Sequence, residues 1–220
     1  MLEILKLLQR RREGMHLSDG VLSMPVVIAT TAVAGGMLVK SFKDIKEDEI
    51  PKISLMTATF FTFALISFPV GPSSVHPLLG GLIGIMLGTR SAIAIFIGLL
   101  LQAVIFQHGG LTTLGMNTIM VSIPALASYV LFSKLMKKKK NIALSAGLAG
   151  ATSVVLTVVI LTIVLFFSSG TYGEGFLSVI NILILGHIPL AIGEGILTSI
   201  VIAFIHKVRP NVLQEYETDI

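Results

Sequence analysis

Seven apolar runs separated by short polar stretches set the architecture that this sequence predicts. An α-helix needs ~20 apolar residues to cross the hydrocarbon core of a bilayer. The runs predict seven membrane-spanning helices, at about residues 21–39, 53–70, 78–87, 91–106, 116–131, 142–167 and 176–205. The third run is short and rich in glycine, and a membrane tolerates such a helix only where protein surrounds it or it lines a cavity. The seventh run is long enough to contain a break near Gly186-His187-Ile188-Pro189.

Composition indicates a protein that lies largely within the membrane. Of the 220 residues, 54% are hydrophobic and only 13% are charged, whereas roughly a quarter of the residues in a soluble domain are charged. The chain has no cysteine, which excludes thiolate metal sites, disulfides and sulfur redox chemistry. The fold class that follows is an all-α polytopic membrane protein.

Basic residues lie between the apolar runs, where they determine orientation and do not indicate nucleic-acid binding. The run Lys137–Lys140 predicts a cytoplasmic loop, and residues 40–52, Arg90 and residues 207–209 then fall on the same side. With seven spans, the C-terminus is cytoplasmic and the segment at Met15 lies outside the cell. Three histidines therefore share the outer face, namely His16, His76 and His108.

The polar segment Met15-His16-Leu17-Ser18-Asp19-Gly20 precedes the first span and carries candidate metal chemistry. If Met15 begins the mature chain, its α-amine, the His16 backbone nitrogen and the His16 imidazole Nδ1 can close two fused chelate rings on one metal ion. One further histidine would complete four nitrogens in a plane, a geometry of Ni(II) or Cu(II), with Co(II) as a near neighbour. The alternative is a simple turn in which Ser18 or Asp19 caps the following helix.

Three more polar residues near the outer face are candidates. His76 lies between a terminated helix and Pro77, and it is either a buried functional group or a histidine of a wet loop. His108 lies in a Gly-Gly loop, a position that more often faces solvent than a metal. Asn117 either caps the fifth helix or orients a metal-bound imidazole.

Two ionisable residues lie deeper, in the seventh run. His187 and Glu194 are seven residues apart, which places them two turns apart on one helix face. They could pair with each other, or they could form a proton relay. We interpret the pair as a packing or gating element because its expected depth is closer to the middle of the membrane.

Four short motifs occur in order along the chain: Met15–Ser23, Ser74-Val75-His76 with Leu79-Gly80-Gly81, Gly109–Asn117, and His187–Ala191 with Glu194-Gly195. Together they resemble the CbiM/NikM family, the substrate-binding S components of energy-coupling factor (ECF) transporters for cobalt and nickel. The resemblance extends from Met15 to about Leu213 as one transmembrane metal-binding domain. Residues 1–14 are then an N-terminal extension and residues 214–220 a polar tail.

This resemblance implies a seven-helix, S-component-like bundle with an extra N-terminal helix, which feeds the amino terminus into a central metal pocket. Carried over motif by motif, the ligands are the Met15 amine, the His16 backbone nitrogen and imidazole, and the His76 imidazole. The supporting or gating candidates are Asp19, His108 and Asn117. The chain has no cofactor of its own, and the transported Ni²⁺ or Co²⁺ is its ligand.

The resemblance also implies partners: a transmembrane coupling subunit, two cytoplasmic ATPases and often a small accessory membrane protein, in the plasma membrane of a prokaryote. The chain has no nucleotide-binding P-loop, so ATP-driven work needs such partners. Cobalt uptake would serve cobalamin biosynthesis. The metal stays open, because Ser18-Asp19-Gly20 is similar to nickel members and Gln107-His108-Gly109-Gly110 to some cobalt members.

Two other functions use the same residues. An intramembrane metalloenzyme could hold an activated water between His16, His76 and His108, but the chain lacks a His-Glu-x-x-His arrangement. A proton-coupled metal carrier could use His187 and Glu194, but the inverted repeats typical of such carriers are absent. We therefore expect a transport subunit and no enzyme.

We expect the mature chain to begin at Met15, because Gly14 would convert the required amine into an amide. The preceding Arg10–Arg12 would otherwise lie on the outer side, against the basic-inside bias. The stretch from Arg10 to Gly14 is also what purine-rich codons of a translated ribosome-binding site would encode. The alternative is an amphipathic arm that rests on the membrane surface or is removed by proteolysis.

Overall fold

The computed structural model describes residues 17–70, 73–138, 140–168 and 176–213. Seven α-helices account for most of these residues. They are α1 (Met24–Phe42), α2 (Ile50–Phe63), α3 (Gly80–Leu87), α4 (Ser91–Phe106), α5 (Leu114–Lys137), α6 (Ile142–Ser168) and α7 (Phe176–Val208). Short 3₁₀ turns occupy Glu47–Glu49, Gly88–Arg90 and Pro210–Val212. The predicted all-α class and helix number are confirmed, whereas the predicted N-terminal extension and C-terminal tail lie outside the described residues.

Five segments of this described part are long and apolar enough to cross a membrane: Met24–Phe42, Gly80–Phe106, Leu114–Lys137, Ile142–Phe167 and Ile184–Val208. Large apolar side chains such as Ile28, Val155 and Ile196 are exposed on these helices. Extended apolar surface of this kind is typical of contact with lipid. Helix α2, with 14 residues, is shorter than the ~20 residues of a full crossing.

The two ends of the bundle carry different polar side chains. At one end, which we call the histidine end, the ring centroids of His76 and His108 lie 5.2 Å apart. At the other, the arginine end, Arg90 bonds to the backbone at the end of α1. His76 precedes α3, Arg90 lies between α3 and α4, and His108 follows α4. The segment Gly80–Phe106 is therefore two antiparallel helices joined by a turn.

Helix α3 is enclosed by other helices along its whole length, and all eight of its residues are buried. A Cβ atom at Gly81 would overlap the backbone of Gly150 in α6, and one at Gly84 would overlap the carbonyl of Ala125 in α5. Small residues at these positions let the helix backbones touch. The expectation that protein surrounds this short, glycine-rich helix is confirmed.

Arg90 closes the arginine end. Its guanidinium donates to the carbonyl oxygens of Ser41, Lys43 and Asp44 at 2.8, 2.6 and 2.9 Å, and it pairs with Glu49 at 3.3 Å. The last carbonyls of a helix have no partner within it, so Arg90 satisfies those at the end of α1. The loop after α1 and the turn after α3 therefore lie at the same end of the bundle, as the basic residues predict.

The predicted end of the second span, at residue 70, is wrong. Helix α2 stops at Phe63, and the chain then forms strand β1 (Phe68–Val70), which pairs antiparallel with β2 (Ser73–Val75). A two-stranded ribbon has two edges, and Pro69 is tolerated there because an edge position does not require a backbone donor. This ribbon leads directly into His76.

The predicted break near residues 186–189 is also wrong, because α7 continues through Pro189 as one helix. Proline removes one helical hydrogen bond, but neighbouring helices can satisfy the freed carbonyl in a membrane protein. Helix α5 likewise continues past its predicted end at Leu131 to Lys137, with Pro124 inside it.

The contact between α3 and α5 predicts that Gly84→Val destabilises the bundle. The added side chain would overlap the Ala125 backbone, and overpacking of a core typically costs ~1–3 kcal/mol. Thermal unfolding of the purified protein in detergent, followed by far-UV circular dichroism, should show a lower midpoint. The matched control is Gly36→Val in α1, where nothing lies within 4 Å of the added Cβ. An equal midpoint for both variants would contradict this account of the close approach.

Candidate metal site

The site begins with two histidines that separate helices bring together. His76 follows β2 and is 0% exposed. His108 follows α4 and is half-buried, and its backbone N–H donates to the Gln102 carbonyl at 3.2 Å. The two rings meet edge to face at 67°. The His108 side chain is therefore partly exposed, and it lies against His76.

Burial keeps these imidazoles uncharged. It lowers the pKa of His76 to about 3, with smaller contributions in the same direction from His108 and His187. Burial also lowers the pKa of His108. Metal binding requires a neutral imidazole, so both rings are in the ligating form at neutral pH. His76 is therefore a buried imidazole that can ligate a metal ion, and His108 lies beside it.

The N-terminal segment is held against α5 by its backbone. The Asn117 side-chain amide binds both backbone polar groups of Leu17. Its Oδ1 accepts from the Leu17 N–H at 2.9 Å, and its Nδ2 donates to the Leu17 carbonyl at 3.0 Å. The Thr113 hydroxyl donates to the same carbonyl at 2.6 Å. Leu17 is 5% exposed, so these three bonds replace the water that its backbone would otherwise need. We call this group of contacts the Leu17 clamp.

Asp19 holds the following turn to the loop before α5. Its carboxylate accepts from the Thr112 N–H at 2.8 Å and the Leu111 N–H at 3.3 Å, and the Thr112 hydroxyl also donates to it. The Thr112 hydroxyl is the main reason why the pKa of Asp19 lies below its usual range. The carboxylate is therefore ionised, and it joins residues 93 positions apart in the sequence.

Neither Ser18 nor Asp19 caps α1, and Asn117 does not cap α5, so the alternative roles as helix caps are wrong. Helix α1 begins after Ser23, which makes no side-chain cap, and Asp19 binds another loop. Helix α5 begins at Leu114 after Thr113, so Asn117 lies inside its first turn. The turn predicted at Asp19-Gly20 is present, with Gly20 at a φ of 85°.

Two predicted ligand residues, Met15 and His16, lie outside the described residues and directly precede Leu17. In the described part of the chain, no group of three or more His, Asp or Glu residues could hold a metal ion. The described residues thus provide the His76 and His108 imidazoles and the Leu17 clamp. The four-nitrogen ligand set stays a prediction.

Sequence reasoning missed the threonines of the site. Thr113 is fully buried and Thr112 binds Asp19, and both lie within the motif Gly109–Asn117. Adjacent threonines in a loop before a helix are the available signal, because their hydroxyls commonly bind nearby backbone groups. Their partners here are remote in sequence, which a local pattern does not reveal.

The deeper pair on α7 is buried as expected, with His187 at 3% and Glu194 at 2% exposure. Glu194 Oε1 accepts a hydrogen bond from the Leu78 N–H at 2.6 Å. Since Leu78 follows His76 by two positions, Glu194 contacts the same segment as the site. His187 is close enough to His76 to contribute to the lowering of the His76 pKa.

Comparison with known proteins assigns the family. The family model described as the cobalt uptake substrate-specific transmembrane region, CbiM, matches residues 16–212. The chain belongs to the CbiM family. It is therefore a multi-pass membrane protein of transition-metal transport and not an enzyme.

Curated relatives and solved structures are similar over most of the chain. A Haemophilus influenzae protein whose name describes metal transport is 32% identical over 92% of this chain and 98% of its own. A cobalt transport protein CbiM of Thermosipho melanesiensis is 37% identical over 79% of this chain and 77% of its own. The crystal structure of a transition metal transporter has the same fold, with a TM-score of 0.79 and 21% identity over 91% of this chain and 97% of its own. A truncated transition metal transporter gives 0.77 and 21%, over 87% and 98%.

The Leu17 clamp predicts that Asn117→Ala releases the N-terminal segment of this CbiM-family protein. The variant leaves the buried Leu17 N–H without its acceptor, which costs ~1–3 kcal/mol. Hydrogen–deuterium exchange at the Leu17 amide should therefore be roughly 5- to 150-fold faster. The control is Asn141→Ala, since Asn141 Oδ1 accepts from Leu144 N–H at the start of α6 instead. Unchanged exchange at Leu17 would show that the clamp does not hold the segment.

Proposed function

We propose that this protein is the substrate-specific membrane subunit of an ATP-driven ECF transporter, which binds Ni²⁺ or Co²⁺ at the outer face of a prokaryotic plasma membrane for uptake. The observation that best supports it is the fully buried His76 imidazole. This ring lies at the same end of the bundle as the Leu17 clamp, which fixes the residue directly after His16.

Four nitrogens hold the metal in this proposal: the Met15 amine, the His16 backbone nitrogen, the His16 imidazole and the His76 imidazole. The first three come from one short segment and the fourth from the start of α3. The low pKa of His76 supports its role because the ring needs no deprotonation before it binds. Four nitrogens in a plane favour Ni(II) or Cu(II), with Co(II) as a near neighbour.

Support for cobalt comes from the relatives, several of which are named cobalt transport proteins. In that case the imported metal supplies cobalamin biosynthesis.

His108 lies against His76, and Asp19 binds the loop that carries His108. These two residues act as supports or gates of the pocket and do not ligate the metal.

The proposed orientation in the membrane follows from charge. Lys134, Lys137 and Lys140 lie at or beyond the end of α5, and Arg90 lies in the turn at the arginine end. Basic loops favour the cytoplasmic side, so the histidine end faces outward. The arginine end then faces a transmembrane coupling subunit and two cytoplasmic ATPases, with a small accessory membrane subunit as a further partner.

Replacement of His76 by Ala tests the ligand set. The variant should fold but lose stoichiometric metal, because the loss of a ligand exceeds the ~10–100-fold cost of losing a residue that only supports one. Metal content should be measured on protein purified from cells supplied with both nickel and cobalt, with the N-terminus determined by intact mass. The control is His206→Ala, which removes a histidine from the opposite end of α7. Full metal content in His76→Ala would disprove the four-nitrogen site.

Reconstituted vesicles test the dependence on partners. Vesicles that contain this chain alone should not accumulate ⁶³Ni²⁺ or ⁵⁷Co²⁺, with or without a proton gradient. Vesicles that also contain a coupling subunit and ATPases should accumulate the metal when ATP is supplied on the cytoplasmic side. Accumulation by the chain alone under a proton gradient would favour the carrier alternative.

A further inference from the structure

A buried carboxylate contacts the start of α3 from a neighbouring helix. Glu194 is 2% exposed, and its Oε1 accepts from the Leu78 N–H at 2.6 Å. The Leu79 N–H also interacts with this carboxylate. Its second oxygen, Oε2, is buried and has no hydrogen-bond partner among the described residues. A carboxylate inside a membrane helix is costly, and such residues are usually retained for a function.

The start of α3 has no cap of its own. Its N-cap residue, Leu79, makes no side-chain cap and has a φ of 50°, in the left-handed region that disfavours leucine. Backbone strain of this kind persists only where the surroundings hold it. Glu194 supplies that hold from α7 by accepting the hydrogen bond from the Leu78 N–H.

The hydrogen bond between Leu78 and Glu194 is linked to His76 by a short, stiff stretch of backbone. Only Pro77 separates His76 from Leu78, and the proline ring fixes its own φ angle. A displacement of Leu78 is therefore transmitted to the His76 backbone and not absorbed between them.

Side-chain packing of this segment is incomplete on the side that faces α7. A cavity of about 460 Å³ borders the segment, and its walls include Val75, Pro77, Leu190 and Glu194 itself. Val75 and Pro77 line this cavity, whereas Leu78 and Leu79 are buried in the hydrophobic core. The hydrogen bond from the Leu78 N–H to Glu194 adds a directional contact with α7 that apolar packing does not provide.

We infer that Glu194 is a positioning residue of the metal site: it fixes Leu78 and thereby sets where the His76 imidazole lies. This inference rests on the proposed function, in which His76 is a ligand. It assigns the carboxylate neither to metal ligation nor to a proton relay.

Copper(II) is a suitable probe because it favours planar nitrogen ligation and its electron paramagnetic resonance reports bound nitrogens. The full chain is purified with Glu194→Leu, Glu194→Gln and Glu194→Asp, and each variant is titrated with Cu²⁺ alone. Glutamine retains an oxygen acceptor at the same reach, aspartate withdraws it by one methylene and leucine removes it. The matched control is Thr198→Val, one turn further along α7, where the fully buried hydroxyl has no hydrogen-bond partner among the described residues.

Glu194→Leu should bind Cu²⁺ ~10–100-fold more weakly, the range observed when a support of a metal ligand is removed. Its spectrum should lose the nitrogen coupling of one imidazole. Glu194→Gln and Thr198→Val should retain the wild-type spectrum and affinity, and Glu194→Asp should lie between the two groups. A wild-type spectrum and affinity in both Glu194→Leu and Glu194→Asp would overturn the inference.

A double-mutant cycle separates positioning from general stability. In a His76→Ala background, Glu194→Leu should cause no further loss of Cu²⁺ affinity, because Glu194 acts through His76. An equal loss with and without His76 would show that Glu194 only stabilises the bundle, and would overturn the positioning role.

Hydrogen–deuterium exchange of the metal-free protein distinguishes the failure of this inference from failure of the proposed function. Exchange at the Leu78 amide should be faster in Glu194→Leu and unchanged in Thr198→Val. If Leu78 exchanges at the wild-type rate in Glu194→Leu, the positioning role fails whatever the metal binding. If wild-type protein of verified N-terminus binds no metal, the proposed function fails and the role of Glu194 in metal binding fails with it.

Discussion

The structure depends on the need to satisfy every backbone polar group at membrane depth. Regular helices meet this need internally, but irregular stretches cannot. Polar side chains serve three such stretches in the described part of the chain: Asn117 binds both polar groups of Leu17, Glu194 binds the start of α3, and Arg90 binds the carbonyls that end α1. Two of the three stretches lie at the histidine end. The chain can therefore depart from helical geometry where the metal is proposed to bind while the buried backbone N–H groups of Leu17 and Leu78 keep acceptors.

This arrangement explains why a histidine can be fully buried there. An ionised imidazole would be costly in such surroundings, and burial keeps the pKa of His76 far below neutrality. Glycine contacts between α3 and its neighbours hold the helix that follows, and the Asp19 carboxylate fixes the loop that follows His108. The site is thus assembled from three segments remote in sequence, each fixed by a different kind of contact.

The helices could be predicted from the sequence because their apolar runs are long, and the common end of the basic loops followed from charge. His76 and Asn117 could be named because a polar residue next to a glycine-rich apolar run is unusual. Their partners could not be predicted, since the bond between Asn117 and Leu17 joins residues 100 positions apart. The ribbon at Phe68–Val75 was missed because Pro69, Gly71 and Pro72 indicate only that a helix ends. Continuity through Pro189 depends on neighbouring helices, which a local pattern does not include.

Selectivity in the proposed site must come from geometry. Intrinsic affinities of nitrogen ligands follow a common order that places Cu(II) above Ni(II) and Ni(II) above Co(II), so stronger donors alone would not select Ni²⁺ or Co²⁺. A planar set that mixes chain-terminal nitrogens with one imidazole from the segment before α3 can discriminate only if both parts are held in place. In the proposal, Asn117 restrains the first part through Leu17, and Glu194 restrains the second through Leu78. Each restraint is a backbone contact and neither touches the metal. Movement of either segment would therefore weaken the proposed site without changing its chemistry, which is what the proposed capture and release of a metal ion require.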